Sequence, residues 1–142
     1  MDLSTKTKLS HGRGYVYCIQ YHLVWCTKYR KPILTGKVEE SFKQLCQSVM
    51  DDLPGKILKI GTMPDHVHML VDCSPQFFIP TAIKMLKGCT AKKLFELYPE
   101  LRKTLWGGNL WNPSYCAVSV SDRSIEQIRQ YIREQKTEPP HD

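Results

Sequence analysis

The sequence predicts an α+β fold, a ferredoxin-like βαββαβ antiparallel sheet extended by one C-terminal helix, on three observations. Stretches of period-two alternation mark four strands, apolar stripes at helical spacing mark the helices, and Pro and Gly punctuate the boundaries between them. Strand and helix signals occur in the order of a split βαβ arrangement, and a last helical stretch follows.

The first strand is expected over residues 15–28. Tyr15, Tyr17, Ile19, Tyr21, Leu23 and Trp25 share one face, and Val16, Cys18, Gln20, His22, Val24 and Cys26 share the other. A helix over 36–52 follows, with Val38, Phe42, Leu45 and Val49 in one stripe, and Pro54-Gly55 breaks it. Strands over 56–63 and 66–73 flank Pro64-Asp65 and read as an antiparallel hairpin. Pro80 suits the first turn of a second helix over 80–98, with Ile83, Leu86, Thr90 and Leu94 toward the sheet and Pro99 as the stop. A loop containing Gly107-Gly108 and Asn112-Pro113 leads to a strand over 115–120. Ile125, Ile128 and Ile132 then mark the final helix, for which Ser121 or Asp122 is the expected N-cap. No repeat or linker divides the chain, so residues 1–142 read as one domain with a flexible segment over about 1–12 and a polar tail over about 137–142.

Composition narrows the function classes. The chain carries a net charge of +6, which suits a polyanionic partner. Its basic residues cluster: Lys6, Lys8 and Arg13 near the start, Lys28, Arg30 and Lys31 after the first strand, and Lys84, Lys87, Lys92 and Lys93 on the second helix, with Arg102 and Lys103 beyond. Interleaved with Tyr29, Trp106, Trp111 and Tyr115, these clusters fit single-stranded nucleic acid, where phosphates meet cations and bases stack on rings. The alternative for the tryptophans is core packing. The six cysteines form no C-x-x-C and read as reduced, small core residues rather than a zinc site. There is no secretory h-region and no apolar run of membrane-spanning length, so a cytoplasmic protein with no membrane partner is expected.

His66-Val67-His68 carries the chemistry. Residues two apart on a strand point the same way, so His66 and His68 share a face while Val67, Met69 and Val71 pack the other. Two neighbouring neutral imidazoles make a half-site for a divalent metal, and such an ion polarises a phosphate. An ordinary pair of strand histidines is the competing reading. Asp65 reads as a turn residue and Asp72 as a strand-end polar group. His22 lies on the less apolar face of the first strand, where a hydrogen-bonded structural histidine is the favoured reading. On the final helix, Tyr131 and Gln135 are four apart and project from one side, beside the apolar stripe. A phenol and an amide oxygen presented together can serve as nucleophile and third metal ligand. Equally, they can be an aromatic at the stripe's edge and a solvated glutamine.

Four segments in order resemble a known family. They are Tyr21-His22-Leu23-Val24-Trp25-Cys26-Thr27-Lys28-Tyr29-Arg30, Met63-Pro64-Asp65-His66-Val67-His68, the stretch from Leu105-Trp106-Gly107-Gly108 to Pro113-Ser114-Tyr115, and the helix bearing Tyr131 and Gln135. Over roughly residues 12–136 the chain is similar to the single-tyrosine HUH transposases of the IS200/IS605 group, with REP-associated tyrosine transposases among the relatives. The resemblance implies cleavage and rejoining of single-stranded DNA at insertion-sequence ends through a 5′-phosphotyrosine on Tyr131. It implies a divalent metal, Mg²⁺ or Mn²⁺, on His66, His68 and Gln135. It further implies recognition of DNA hairpins by an obligate homodimer whose active sites are completed in trans by a mobile Tyr131 helix. Lys28, Arg30, Lys31, Lys84, Lys87, Lys92, Trp106 and Trp111 are the expected DNA-binding residues. The rival reading is a catalytically inactive ferredoxin-like module that binds single-stranded nucleic acid. A phosphoesterase with two His-containing strand motifs lacks its second motif here, because Tyr21-His22-Leu23 does not supply one.

Overall fold

The chain is described by a computed structural model over residues 9–105, 107–135 and 137; Trp106, Lys6, Lys8 and most of the polar tail lie outside the described residues. Its main sheet has four strands: β3 (Ile19–Cys26), β4 (Gly55–Met63), β5 (His66–Cys73) and β6 (Cys116–Ser119), in the spatial order β4-β5-β3-β6 with every pairing antiparallel. Helices α1 (Gly36–Asp51) and α2 (Ile79–Leu97) are the crossovers, α3 (Leu101–Thr104) is a single turn, and α4 (Ser124–Arg133) closes the chain. This is the predicted βαββαβ sheet with its added helix.

Register decides which face each residue takes. Trp25 pairs with Val67 and Leu23 with Met69, so these side chains point together toward α1 and α2. There they meet Phe42, Cys46 and Met50 of α1 and Ile83, Leu86 and Leu94 of α2 in one continuous core. Each fully buried large apolar side chain contributes about 1.5–3 kcal/mol relative to exposure. On the opposite face Val24 pairs with His68 and Cys26 with His66. That face is covered by α4, which packs against β6 and β3 through its buried Ile128. Ser124 ties the start of α4 to the end of β6, because its Oγ donates to the Ser119 carbonyl at 3.0 Å and accepts from the Ser121 amide at 2.8 Å.

Several expectations are corrected. The predicted strand over 15–28 is two strands. Tyr15–Tyr17 (β2) pairs with Ser10–Gly12 (β1) in a separate ribbon that turns at Gly14, whose φ of +84° favours glycine, while β3 alone joins the main sheet. Alternation runs unbroken through Cys18, so only the choice of pairing partner divides the run. Neither Ser121 nor Asp122 is the N-cap. Arg123 occupies that position without a side-chain cap, and the Ser121 hydroxyl instead accepts the Arg123 amide in a local turn. Of the cysteines, Cys26, Cys46 and Cys73 are buried as expected, but Cys18 and Cys89 are exposed. α3 has no counterpart among the predicted elements; Leu101 fills the core edge and so holds a turn that has little periodicity of its own.

Candidate active site

His66 and His68 stand on β5 facing α4, as alternation requires. They line a cavity of about 500 Å³ whose other walls are Gly61, Thr62 and Met63 of β4 and Ile125, Ile128, Arg129 and Ile132 of α4. Gly61 pairs with His68, and a Cβ there would meet nothing within 4 Å, so the floor beside the imidazole is open.

The two imidazoles have different partners. His66 Nδ1 donates to Asp65 Oδ1 at 2.8 Å, and Asp65 Oδ2 accepts from Arg30 Nε at 2.9 Å. His68 Nε2 lies 2.7 Å from His22 Nδ1, with one of the two nitrogens donating to the other. Burial, reinforced by the neighbouring His22 and His66, pushes His68 down to about 4, and burial lowers His22 as well. His68 is therefore neutral near pH 7, the form a metal ion needs. The donor chemistry fits a divalent cation at His66, which is bonded through Nδ1 and keeps Nε2, whereas His68 Nε2 would have to give up its His22 contact to serve as a ligand. His22 is buried and its hydrogen-bond partner is His68. Among the described residues no three His, Cys, Asp or Glu side chains converge on one point.

The expected pairing of Tyr131 and Gln135 on one helix is corrected: Tyr131 is on α4, Gln135 lies two residues past its end, and neither lines the histidine cavity. Tyr131 Oη donates to Ser114 Oγ at 3.0 Å. Desolvation, with added influence from Cys26 and Cys116, raises the phenol to about 12 although the Ser114 hydrogen bond acts in the other direction. Gln135 Nε2 donates to the Tyr131 carbonyl at 3.0 Å, and Gln135 lines a second cavity with Lys28, Tyr29, Asn112, Pro113 and Ser114. In this arrangement Gln135 does not join the imidazoles: the apolar stripe of α4, not its Tyr131 edge, covers them.

The predicted DNA-binding residues divide. Lys84 and Lys92 are exposed on α2, and Lys28 and Lys31 are half-buried beside β3, with the Lys28 ammonium 5.1 Å from the Tyr29 ring centre. Lys87 is a correction. Its ammonium donates to the carbonyls of Asn112 at 2.6 Å and Ser114 at 3.1 Å, and burial lowers its pKa, so it fastens the loop that carries Ser114. Trp111 is a second correction: it is a core residue with its ring 5.9 Å from Trp25 and 5.2 Å from Phe42. Its indole N–H donates to Thr90 Oγ1 at 3.1 Å and to the Lys87 carbonyl at 3.2 Å, leaving no open ring face for a base. Trp106 lies outside the described residues.

Four participants have no clear signal of this role in the sequence: Asp65, Ser114, Gly61 and Arg129. Asp65 alone carries a local hint, its place directly before His66.

The family description "Transposase IS200 like" matches residues 15–135. The chain belongs to the IS200-like transposases. This transposase is 44% identical to the ISDra2 transposase TnpA of Deinococcus radiodurans, over 90% of its own length and 91% of that protein's. It is 24% identical to the IS200 transposase of Salmonella typhimurium, over 96% of this chain and 87% of that one. A crystal structure from Deinococcus radiodurans R1, described as a transposase, superposes with a TM-score of 0.86 at 42% identity, covering 91% of this chain and 99% of the other. A REP-associated tyrosine transposase bound to a REP hairpin shares the fold, with a TM-score of 0.53 at 16% identity over 87% of this chain and 68% of that one. The protein is thus a single-tyrosine transposase acting in DNA transposition of an insertion sequence. Among the described residues no helix is long and apolar enough to cross a membrane.

Proposed function

We propose that this transposase cleaves and rejoins single-stranded DNA at insertion-sequence ends, with Tyr131 as nucleophile and His66, His68 and Gln135 holding a divalent cation, Mg²⁺ or Mn²⁺. The observation that carries the reading is the histidine cavity: its outer wall is α4, the helix that bears Tyr131 and is followed by Gln135. The phenolic oxygen forms a bond to phosphorus as the bond from phosphorus to the 3′ oxygen breaks. A 5′-phosphotyrosine and a 3′-hydroxyl result, and the proton lost by the phenol is balanced by the one gained at the 3′ oxygen. The bound cation supplies charge neutralisation at the scissile phosphate. Because the phosphodiester energy stays in the tyrosyl ester, the 3′-hydroxyl of another strand can reverse the step and reseal the DNA without a nucleotide cofactor.

Tyr131 must leave Ser114, and Gln135 must turn to the imidazoles, for this chemistry. A shift of α4 achieves both, either within one chain or by passing to the other subunit of a homodimer. The resemblance supports the second route. Hairpin recognition is supported by the net charge of +6 and by the fold shared with the REP-hairpin-bound relative. The deciding experiment is incubation with single-stranded hairpin DNA and Mg²⁺, followed by denaturing electrophoresis. A covalent adduct lost in Tyr131→Phe is expected. Hairpin binding with no adduct at any metal concentration would favour the inactive binding module.

A further inference from the structure

We infer that Asp65 and Arg30 are positioning residues for His66, bridging it to the turn after β3 and selecting which ring nitrogen keeps its lone pair. The inference rests on the proposed role of His66 in holding a cation. The Asp65 carboxylate uses one oxygen for each partner, Oδ1 for His66 Nδ1 at 2.8 Å and Oδ2 for Arg30 Nε at 2.9 Å. A carboxylate at Nδ1 accepts a proton-bearing nitrogen, so the ring is held as the Nδ1–H tautomer and its lone pair is on Nε2. With Oδ2 occupied by the guanidinium, the carboxylate is not free to rotate away from the ring. All three side chains are largely sheltered, at 25%, 21% and 17% exposure for Arg30, Asp65 and His66, where such bonds are weakly screened.

The backbone is built around the same bridge. Tyr29 and Arg30 both adopt φ of +54°, a left-handed conformation that side-chain-bearing residues rarely take and that persists where the surroundings impose it. The turn is tied to the hairpin from the other side as well. The Asp65 carbonyl accepts from the Thr27 amide at 3.0 Å and its hydroxyl at 3.3 Å, while the Pro64 carbonyl accepts from the Leu34 amide at 2.9 Å. Residues far apart in sequence are thereby clamped so that one carboxylate reaches both Arg30 and His66. His68 has a different partner, the neutral His22 imidazole, which leaves its tautomer unselected by charge. The terminal guanidinium nitrogens of Arg30 carry its remaining donors, so this role is compatible with a phosphate contact.

The test reads the tautomer directly in the metal-free protein. Long-range ¹H–¹⁵N spectra of histidine-labelled protein, with His66 assigned by its loss in His66→Ala, should show the Nδ1–H form in the wild type. Asp65→Ala should move His66 to the Nε2–H form, and Arg30→Gln should give a mixture while Arg30→Lys restores most of the wild-type signal. In parallel, Mn²⁺ affinity measured by the EPR signal of the free ion should fall about 10–100-fold in Asp65→Ala and less in Arg30→Gln. Thermal unfolding of each variant separates this from a loss of fold, and Arg30→Gln carries the test if Asp65→Ala fails to fold. An Nε2–H tautomer in the wild type, or an Nδ1–H form that survives both substitutions, overturns the inference. Failure of the wild type to bind Mn²⁺ counts against the metal reading instead, and the tautomer then decides the positioning role alone.

Discussion

Tyr131 donates a 3.0 Å hydrogen bond to Ser114 Oγ, joining helix α4 to the loop that precedes β6. Lys87 holds the same loop from the other side of the sheet through the carbonyls of Asn112 and Ser114. The proposed nucleophile is therefore docked in a desolvated place, with its pKa raised to about 12. The first prediction follows. In an ultraviolet titration, the difference between wild type and Tyr131→Phe should contain no tyrosine ionising near the ordinary value of 10. A difference curve centred near 10 would mean that the phenol is solvated and undocked. Ser114→Ala should raise the value further by removing the hydrogen bond that offsets burial.

Acid should weaken the fold through His68. Its folded pKa of about 4 lies below the ordinary histidine value of 6.5, so between these values the unfolded chain binds the proton and the folded chain does not. Stability contributed by the neutral ring is present above pH 6.5 and is lost as pH falls toward 4, at about 2 kcal/mol between pH 7 and pH 5 for this one group. Urea unfolding of wild type and His68→Gln at both pH values measures it. An equal pH dependence in the two proteins would refute the assignment.

Trp111→Ala should cost about 3–5 kcal/mol, the range for deleting a large buried aromatic side chain, because its ring packs against Trp25 and Phe42. Hairpin affinity per folded molecule should stay near the wild-type value. A stable Trp111→Ala protein with weakened DNA binding would return this ring to the nucleic-acid surface.

Lys84 and Lys92, exposed on α2, are free of the packing role that Lys87 has. Replacing both with glutamine should reduce the slope of log affinity against log salt by about 0.7–0.9 for each phosphate that the variant no longer neutralises. An unchanged slope would put the DNA elsewhere. Lys87→Met should instead act mainly on the Ser114 loop, seen as a lower unfolding midpoint.

A mixed dimer tests where the site is assembled. One chain carries His66→Ala and His68→Ala, the other Tyr131→Phe. If α4 crosses between subunits, one site in the pair is intact and the other doubly broken, so roughly half the wild-type cleavage should return, provided the sites act independently. A verified heterodimer with no cleavage would assign the cleaving arrangement to a single chain.

Local periodicity in the sequence was enough to determine the sheet, its two crossover helices and the orientation of His66 and His68, because a strand alternates its side chains whatever surrounds it. Helical spacing likewise grouped Tyr131 with Gln135, but α4 ends at Arg133, before Gln135. Periodicity had no reach over contacts between distant segments. Trp111 and Ser114 lie in a loop without a repeating pattern, so neither could be assigned a face until Thr27 bridged to Trp111 and Lys87 bound the loop. Alternation likewise passed straight through Cys18, where the pairing of β2 with β1 decides the break. Only the tertiary structure brought Arg30 to Asp65 and Asp65 to His66, and only it turned the Ile128 stripe of α4, rather than Tyr131, toward the imidazoles. The reason is physical: periodicity is a property of the backbone over a few residues, whereas a tautomer, a docked phenol and an occupied ammonium depend on which remote polar groups folding brings within about 3 Å.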